Sequence, residues 1–265
     1  MYSAAALFFK YLRYRIIALN GKGHGAHSPF VFSFIKKLLN DKRSFYAYEQ
    51  VEPLRQQMRK NQVSITIEDF GAGSRVHAST TRKVATVAAS SLKPKKFGQL
   101  LFRMVAHFQP KTILELGTSL GVTTAYMALA NPVAKIWSME GSNAIADLAE
   151  ANFKSLGIDN IQLVRGNFDL TLQPLLDNME ELDFVFVDGN HRYEPTMHYF
   201  QLLKPKMREH SILIFDDIHW SKEMEAAWEA IKKDPSISLS IDLFFIGIVF
   251  FRKEQLVKQD FIIQY

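Results

Sequence analysis

Glu115, Gly117 and Gly121 stand close together in Ile113-Leu114-Glu115-Leu116-Gly117-Thr118-Ser119-Leu120-Gly121-Val122-Thr123-Thr124. A short apolar run that ends in glycine and turns straight into a helical pattern lets a ligand approach bare backbone, here along Gly117, Thr118 and Ser119. The start of the helix offers unpaired N–H groups and the positive end of its dipole, both of which favour a carboxylate. Glu115, at the strand end, offers the opposite charge to a cationic amino group. A second acid closes the next strand in Met139-Glu140-Gly141. Its position, roughly twenty residues on, suits the two hydroxyls of a ribose. Arg165-Gly166-Asn167 closes a third strand, where the Asn167 amide could read an adenine edge.

A ligand that needs an ammonium site and an anion site side by side is an amino acid. The methionine part of S-adenosylmethionine, whose nucleoside adds a ribose and an adenine, is one such ligand. A second constellation lies further along, in Phe184-Val185-Phe186-Val187-Asp188-Gly189-Asn190-His191 and Ile214-Phe215-Asp216-Asp217-Ile218-His219. Both acidic clusters fall at the carboxyl ends of apolar runs, the usual ligand edge of an open α/β sheet. Asp188, Asp216 and Asp217 would repel one another unless a cation, a proton or a basic substrate intervened. A set of oxygen ligands suits Mg²⁺ or Ca²⁺ better than zinc. Asp188 could equally bond the cofactor's amino group with no metal at all.

These residues need a frame that sets strand ends side by side. From about Lys111 the pattern alternates: strands at Thr112–Leu116, Lys135–Met139, Ile161–Val164, Phe184–Val187 and Ile212–Phe215, with helices between, the last at Met224–Lys232. Ser238–Phe245 and Gly247–Phe251 read as a closing antiparallel pair. Short apolar runs separated by helices imply parallel strands buried on both faces. The expected fold is therefore a doubly wound, seven-stranded, mostly parallel sheet at residues 96–265, with a helical, basic cap at 1–95. In the cap, Phe8, Tyr11, Leu12, Ile16 and Leu19 recur at helical spacing, and Ser28-Pro29 reads as an N-cap followed by proline at the first helical position. The aromatic-basic first helix could touch a membrane surface, but it is expected to pack on its own domain or on a second copy, which makes a homodimer an option. Ile65–Phe70 reads as a short strand followed by a Gly71-Ala-Gly73-Ser turn. His24 and His27 sit in a glycine-rich loop; with no third ligand near, they suit structure or substrate contact better than metal.

The chain has 265 residues, a formal charge of +5 and no cysteine. Disulfides, thiolate zinc sites and cysteine nucleophiles are thereby excluded, and a reducing cytoplasm is the expected setting. No apolar run reaches the length of a spanning helix. The charge excess is too small to argue for nucleic acid, and no nucleic-acid module is recognisable.

The segment from Phe97 to Arg252 resembles the class I methyltransferases, particularly the small O-methyltransferases related to catechol and caffeoyl-CoA O-methyltransferase. Glu115-x-Gly117-x-x-x-Gly121 is their form of the first motif, with Ser119 where the commoner pattern has a middle glycine. The resemblance implies that Glu140 binds ribose, that Asn167 sits near the adenine, and that the acceptor is a small-molecule hydroxyl. It implies a divalent ion held by Asp188 and by Asp216-Asp217, where metal-dependent relatives have Asp-Asn. Their proton-accepting lysine aligns with His191, a workable substitute because histidine titrates near working pH. His219 is a second candidate base. The sequence leaves two other functions open: methylation of RNA or protein, and cofactor binding without turnover. An NAD-dependent oxidoreductase is disfavoured because G-x-G-x-x-G is absent.

Overall fold

The computed structural model describes the chain except residues 24, 26, 70–77, 255 and 256, so His24 and the expected Gly71-Ala-Gly73-Ser turn lie outside the described residues. The chain divides into two compact units, one made of Met1–Asp41 with Met179–Tyr265 and the other of Lys42–Asn178.

Residues 1–41 begin with α1 (Ala4–Ile17) and α2 (Pro29–Phe34), which runs on into a π-helical turn at Ile35–Leu39. Ser28 caps α2 through its side chain and Pro29 opens it, as the sequence implies. Along α1 the packed residues differ from the expected stripe. Tyr14 and Ala18, with Leu7 and Tyr11, cluster on Phe244, whereas Phe8, Leu12 and Ile16 are exposed. The expected stripe sets Phe8, Tyr11, Leu12, Ile16 and Leu19 together, but α1 is apolar on two sides and only one of them is covered.

The Lys42–Asn178 unit opens with α3 (Tyr46–Lys60) and an antiparallel hairpin of β1 (Ser64–Asp69) and β2 (Ala78–Lys83). The helices α4 (Val84–Ser91) and α5 (Lys95–Phe108) lead into the β/α alternation. There β3 (Thr112–Leu116), α6 (Val122–Ala130), β4 (Lys135–Glu140), α7 (Asn143–Ser155), β5 (Ile161–Arg165) and α8 (Phe168–Asp177) follow one another. The strands pair in parallel in the order β3-β4-β5, with Glu115 opposite Ser138 and Glu140 opposite Arg165. Ile113, Leu114, Glu115 and Leu116 are all buried, as expected of a parallel strand covered on both faces.

The remaining elements are β6 (Leu182–Val187), α9 (Tyr193–Leu203), β7 (Met207–Asp216), α10 (Lys222–Lys233), β8 (Leu239–Asp242), β9 (Ile246–Phe250) and β10 (Gln259–Ile262). Their order is β10-β8-β9-β7-β6, with β9 antiparallel to both β7 and β8, and β10 parallel to β8. The fold is α/β with a large, mostly parallel sheet. The sheet has eight strands rather than the expected seven, and β10 is the addition. Its four residues, Gln259-Asp-Phe-Ile, are half polar and only partly buried, so they lack the apolar signature of the other strands. The antiparallel β8–β9 pair occurs where the sequence places it, with tighter boundaries.

Candidate active site

The turn after β3 owes its shape to three left-handed residues, Gly117 at φ 105°, Ser119 at φ 48° and Gly121 at φ 75°. Gly117 N–H and Thr118 N–H both donate to Met139 O, at 3.0 and 2.9 Å, which ties the turn to the end of β4. Gly121 is required twice. Its φ is unfavourable for a side chain, and a Cβ there would lie 2.5 Å from the Phe153 ring on α7. Ser119 stands where the commoner motif has glycine and keeps that residue's conformation, at a cost of roughly 1–2 kcal/mol. Its N–H donates to Glu140 Oε2 at 2.8 Å, and its hydroxyl lies 2.7 Å from that of Ser91.

Glu140 thus receives backbone donors from both sides, because Ser142 N–H also donates to Oε1 at 3.0 Å, across Gly141. A carboxylate retains acceptor capacity after two such bonds. Glu115 is wholly buried. Ser138 Oγ donates to its Oε2 at 2.5 Å, Thr124 Oγ1 donates to the same oxygen, and Thr118 Oγ1 lies 2.6 Å from Ser138 Oγ. The strand-end acid expected to face a cationic amino group is therefore an interior carboxylate stitched to α6 and β4. Asn167 is half-buried and caps α8, its Oδ1 accepting from Asp169 N–H at 3.0 Å. The sequence reading missed Ser91, Thr124 and Ser138. Their only signal was register: Ser138 faces Glu115 across the β3–β4 pair, and Thr124 lies nine residues on, in α6.

In the other unit, Asp188, His191 and Asp216 each bring one ligand atom within 4.8 Å of the others. His191 Nε2 lies 3.6 Å from Asp188 Oδ1 and 3.9 Å from Asp217 Oδ2. Asp216 is buried, whereas Asp188 and Asp217 are half-buried. The group with ligand-like spacing is thus Asp188, His191 and Asp216, with Asp217 at its edge, rather than the three aspartates alone. Asn190 (φ 52°) and Asp217 (φ 54°) are both left-handed residues flanking this cluster. Asn190 is pinned: its Nδ2 donates to Tyr199 Oη at 3.2 Å, and Arg192 Nε donates to its Oδ1 at 3.2 Å. With Ser119 these make three of the five non-glycine residues of positive φ among the described residues, all in the segments singled out for chemistry. Strain of this kind collects where geometry is over-determined for function.

His219 belongs to a different network. Its Nε2 lies 2.8 Å from Asp242 Oδ2 and its Nδ1 3.0 Å from Glu225 Oε1, and the ring stacks on Phe244. Burial disfavours the charged ring, but the hydrogen bonds and charges of Asp242 and Glu225 outweigh it and raise the pKa. Glu225 in turn accepts from Tyr2 Oη at 2.6 Å and from Lys10 Nζ at 3.0 Å. With both nitrogens engaged by carboxylates, the ring is held in place and its charged form is favoured, so His219 fits a latch between α1, α10 and β8 better than a proton acceptor.

Residues 114–218 match the family described as "methyltransferase domain", which takes in both constellations. Over 139 residues the chain is 30% identical to a catechol O-methyltransferase of Niastella koreensis, covering 51% of this chain and 61% of that protein, so it spans less than two thirds of that relative. A protein of Acanthamoeba polyphaga mimivirus is 23% identical over 174 residues, 58% of this chain and 78% of its own length. Among solved structures, the Bacillus cereus O-methyltransferase in complex with SAH has a TM-score of 0.55 at 20% identity, with 83% of this chain and 97% of that one covered. The O-methyltransferase TomG of Streptomyces achromogenes in complex with SAM gives 0.56 at 16% identity, covering 84% and 95%. At these identities the two structures establish that the methyltransferase fold is shared.

Proposed function

We propose that the chain transfers the methyl group of S-adenosylmethionine to a hydroxyl of a small molecule. The observation that carries the reading is the cradle after β3, where Gly117, Thr118, Ser119 and Gly121 form a left-handed turn between Glu115 and Glu140. The backbone of the turn would receive the cofactor's amino-acid end, with Glu115 as a buried counter-charge. A buried carboxylate is costly unless donors or a cation accompany it, and Ser138 and Thr124 supply part of that company. Glu140 and Gly141 would take the ribose hydroxyls, and the Asn167 NH₂ an adenine nitrogen. When bound, S-adenosylmethionine supplies an electrophilic methyl carbon, and positioning provides most of the rate.

On the acceptor side, His191 accepts the hydroxyl proton, and Asp188, at 3.6 Å, orients the ring. Residues 1–95, outside the family match, would set acceptor choice. A second reading is favoured by the ligand-like spacing of Asp188, His191 and Asp216. That donor set fits a divalent ion, which would lower the pKa of a bound hydroxyl. In that case His191 is a ligand rather than a base. Isothermal titration with S-adenosylmethionine and S-adenosylhomocysteine tests the cradle: binding of both, weakened in Glu140→Ala, is expected, and no binding of either removes the proposal. Titration with Mg²⁺ and Mn²⁺, with and without His191→Gln, separates ligand from base.

A further inference from the structure

Residues 1–40 contain six lysines and arginines (Lys10, Arg13, Arg15, Lys22, Lys36 and Lys37) and no aspartate or glutamate. The whole chain has a net charge of +5, so this one segment carries more than the entire excess and residues 41–265 net to −1. Of the six, Lys10 is paired with Glu225, and the other five are exposed.

The same segment holds a row of large apolar side chains facing out. On α1, Phe8 is 62% exposed, Leu12 47% and Ile16 76%, and Phe9 and Ile17 are exposed with them. These are not strays on a polar helix. At about 100° per residue, Phe8, Leu12, Ile16 and Phe9 make one stripe about 100° wide. It lies away from the face on which Leu7, Tyr11, Tyr14 and Ala18 pack against Phe244. Arg15 borders the stripe on one side and Arg13 on the other. Phe32, exposed on α2, carries Lys36 Nζ 5.4 Å from its ring centre.

We infer that α1 is a docking face for an anionic lipid surface, lying in the plane of the headgroups with Phe8, Phe9, Leu12 and Ile16 inserted and Arg13 and Arg15 in contact with lipid phosphates. Charge decides this occupant. A second copy laid against the stripe about a two-fold axis would bring Arg13 and Arg15 towards their own equivalents, with no acid in the segment to offset them. An anionic bilayer supplies both the apolar layer and the opposite charge, and arginines at the margins of an apolar stripe can extend to the phosphates. Among the described residues no helix is long and apolar enough to cross a membrane, so the mode is interfacial.

Sedimentation of the full chain with vesicles tests this. Binding is expected to phosphatidylcholine vesicles containing phosphatidylglycerol and not to phosphatidylcholine alone. A Phe8→Ser, Leu12→Ser, Ile16→Ser variant should lose about a hundredfold or more in affinity. Its melting temperature should stay near that of the wild type, because all three positions are exposed. Arg13→Gln with Arg15→Gln should lose about fivefold per arginine. Three outcomes would overturn the inference: no sedimentation with anionic vesicles, undiminished binding by the serine variant, or a dimer by light scattering that the serine variant splits while lipid is ignored.

Discussion

His191 sits between two carboxylates on a loop whose preceding residue is held left-handed by hydrogen bonds, an arrangement that fixes where one imidazole points. In its proposed role as the base, its loss removes one proton transfer. His191→Gln should therefore lower kcat by about 10²- to 10⁴-fold while leaving S-adenosylhomocysteine affinity within twofold of wild type. Single-turnover rates and titration together check this; an equal loss in both would place the residue in the cofactor site instead. Gly121 makes a sharper case, because two independent constraints meet there. Gly121→Ala must accept a positive φ and push the Phe153 ring aside. Urea unfolding should show a loss of about 1–3 kcal/mol, accompanied by weaker cofactor binding. A neutral result would mean that α6 and α7 can separate without cost.

Among the elements, the contact of α1 with α10 and β8 is electrostatic as well as apolar, and its two titrating groups give it a pH window. The pKa of His219 is raised above its ordinary value of 6.5, so its stabilising effect is complete below that value and is lost as pH rises through the raised one. Glu225 behaves in the opposite sense. Burial alone would raise its pKa, but the donors Tyr2, Lys10 and His219 lower it below 4.5, so its effect is present above that value and fades as pH falls through the lowered one. The melting-temperature advantage of wild type over His219→Gln should thus be largest near pH 6 and shrink towards pH 9; an advantage that grows with pH would contradict this assignment. Legibility in the sequence follows the same division. The strands β3 to β7 were readable because buried parallel strands are continuous apolar runs that end at ligand-edge residues. The strand β1 was readable at Ile65–Phe70, one residue from its observed bounds, but β2, the helices α3 to α5 and β10 were not, because their faces are half solvated and carry no continuous apolar run. Glu115 illustrates the limit at the site itself. Its place at a strand end is visible in the sequence, but the two hydroxyls that draw it inside come from α6 and β4, and only the register shows them.

At the scale of the whole molecule, a ligand that binds only the folded state stabilises it by mass action. S-adenosylhomocysteine at a hundred times its dissociation constant should add about 2.7 kcal/mol. For a chain of this size that corresponds to a rise of about 5–10 °C in melting temperature, measurable by scanning calorimetry. An unchanged melting temperature at saturation would argue against the cradle. The division of the chain into units has a different consequence, in time. Met1–Asp41 completes its own unit only with Met179–Tyr265: Leu19 pairs with Ile263, Tyr14 Oη donates to Ile263 O, and Phe244 fills the cluster beneath α1. While a ribosome is still making the intervening stretch, α1 lacks its aromatic floor and Leu19 its bridge partner, and both apolar sides of α1 face outward. This segment is thus made well before the residues that bury it, and a nascent chain stalled before Phe244 should be the form most readily captured by chaperones.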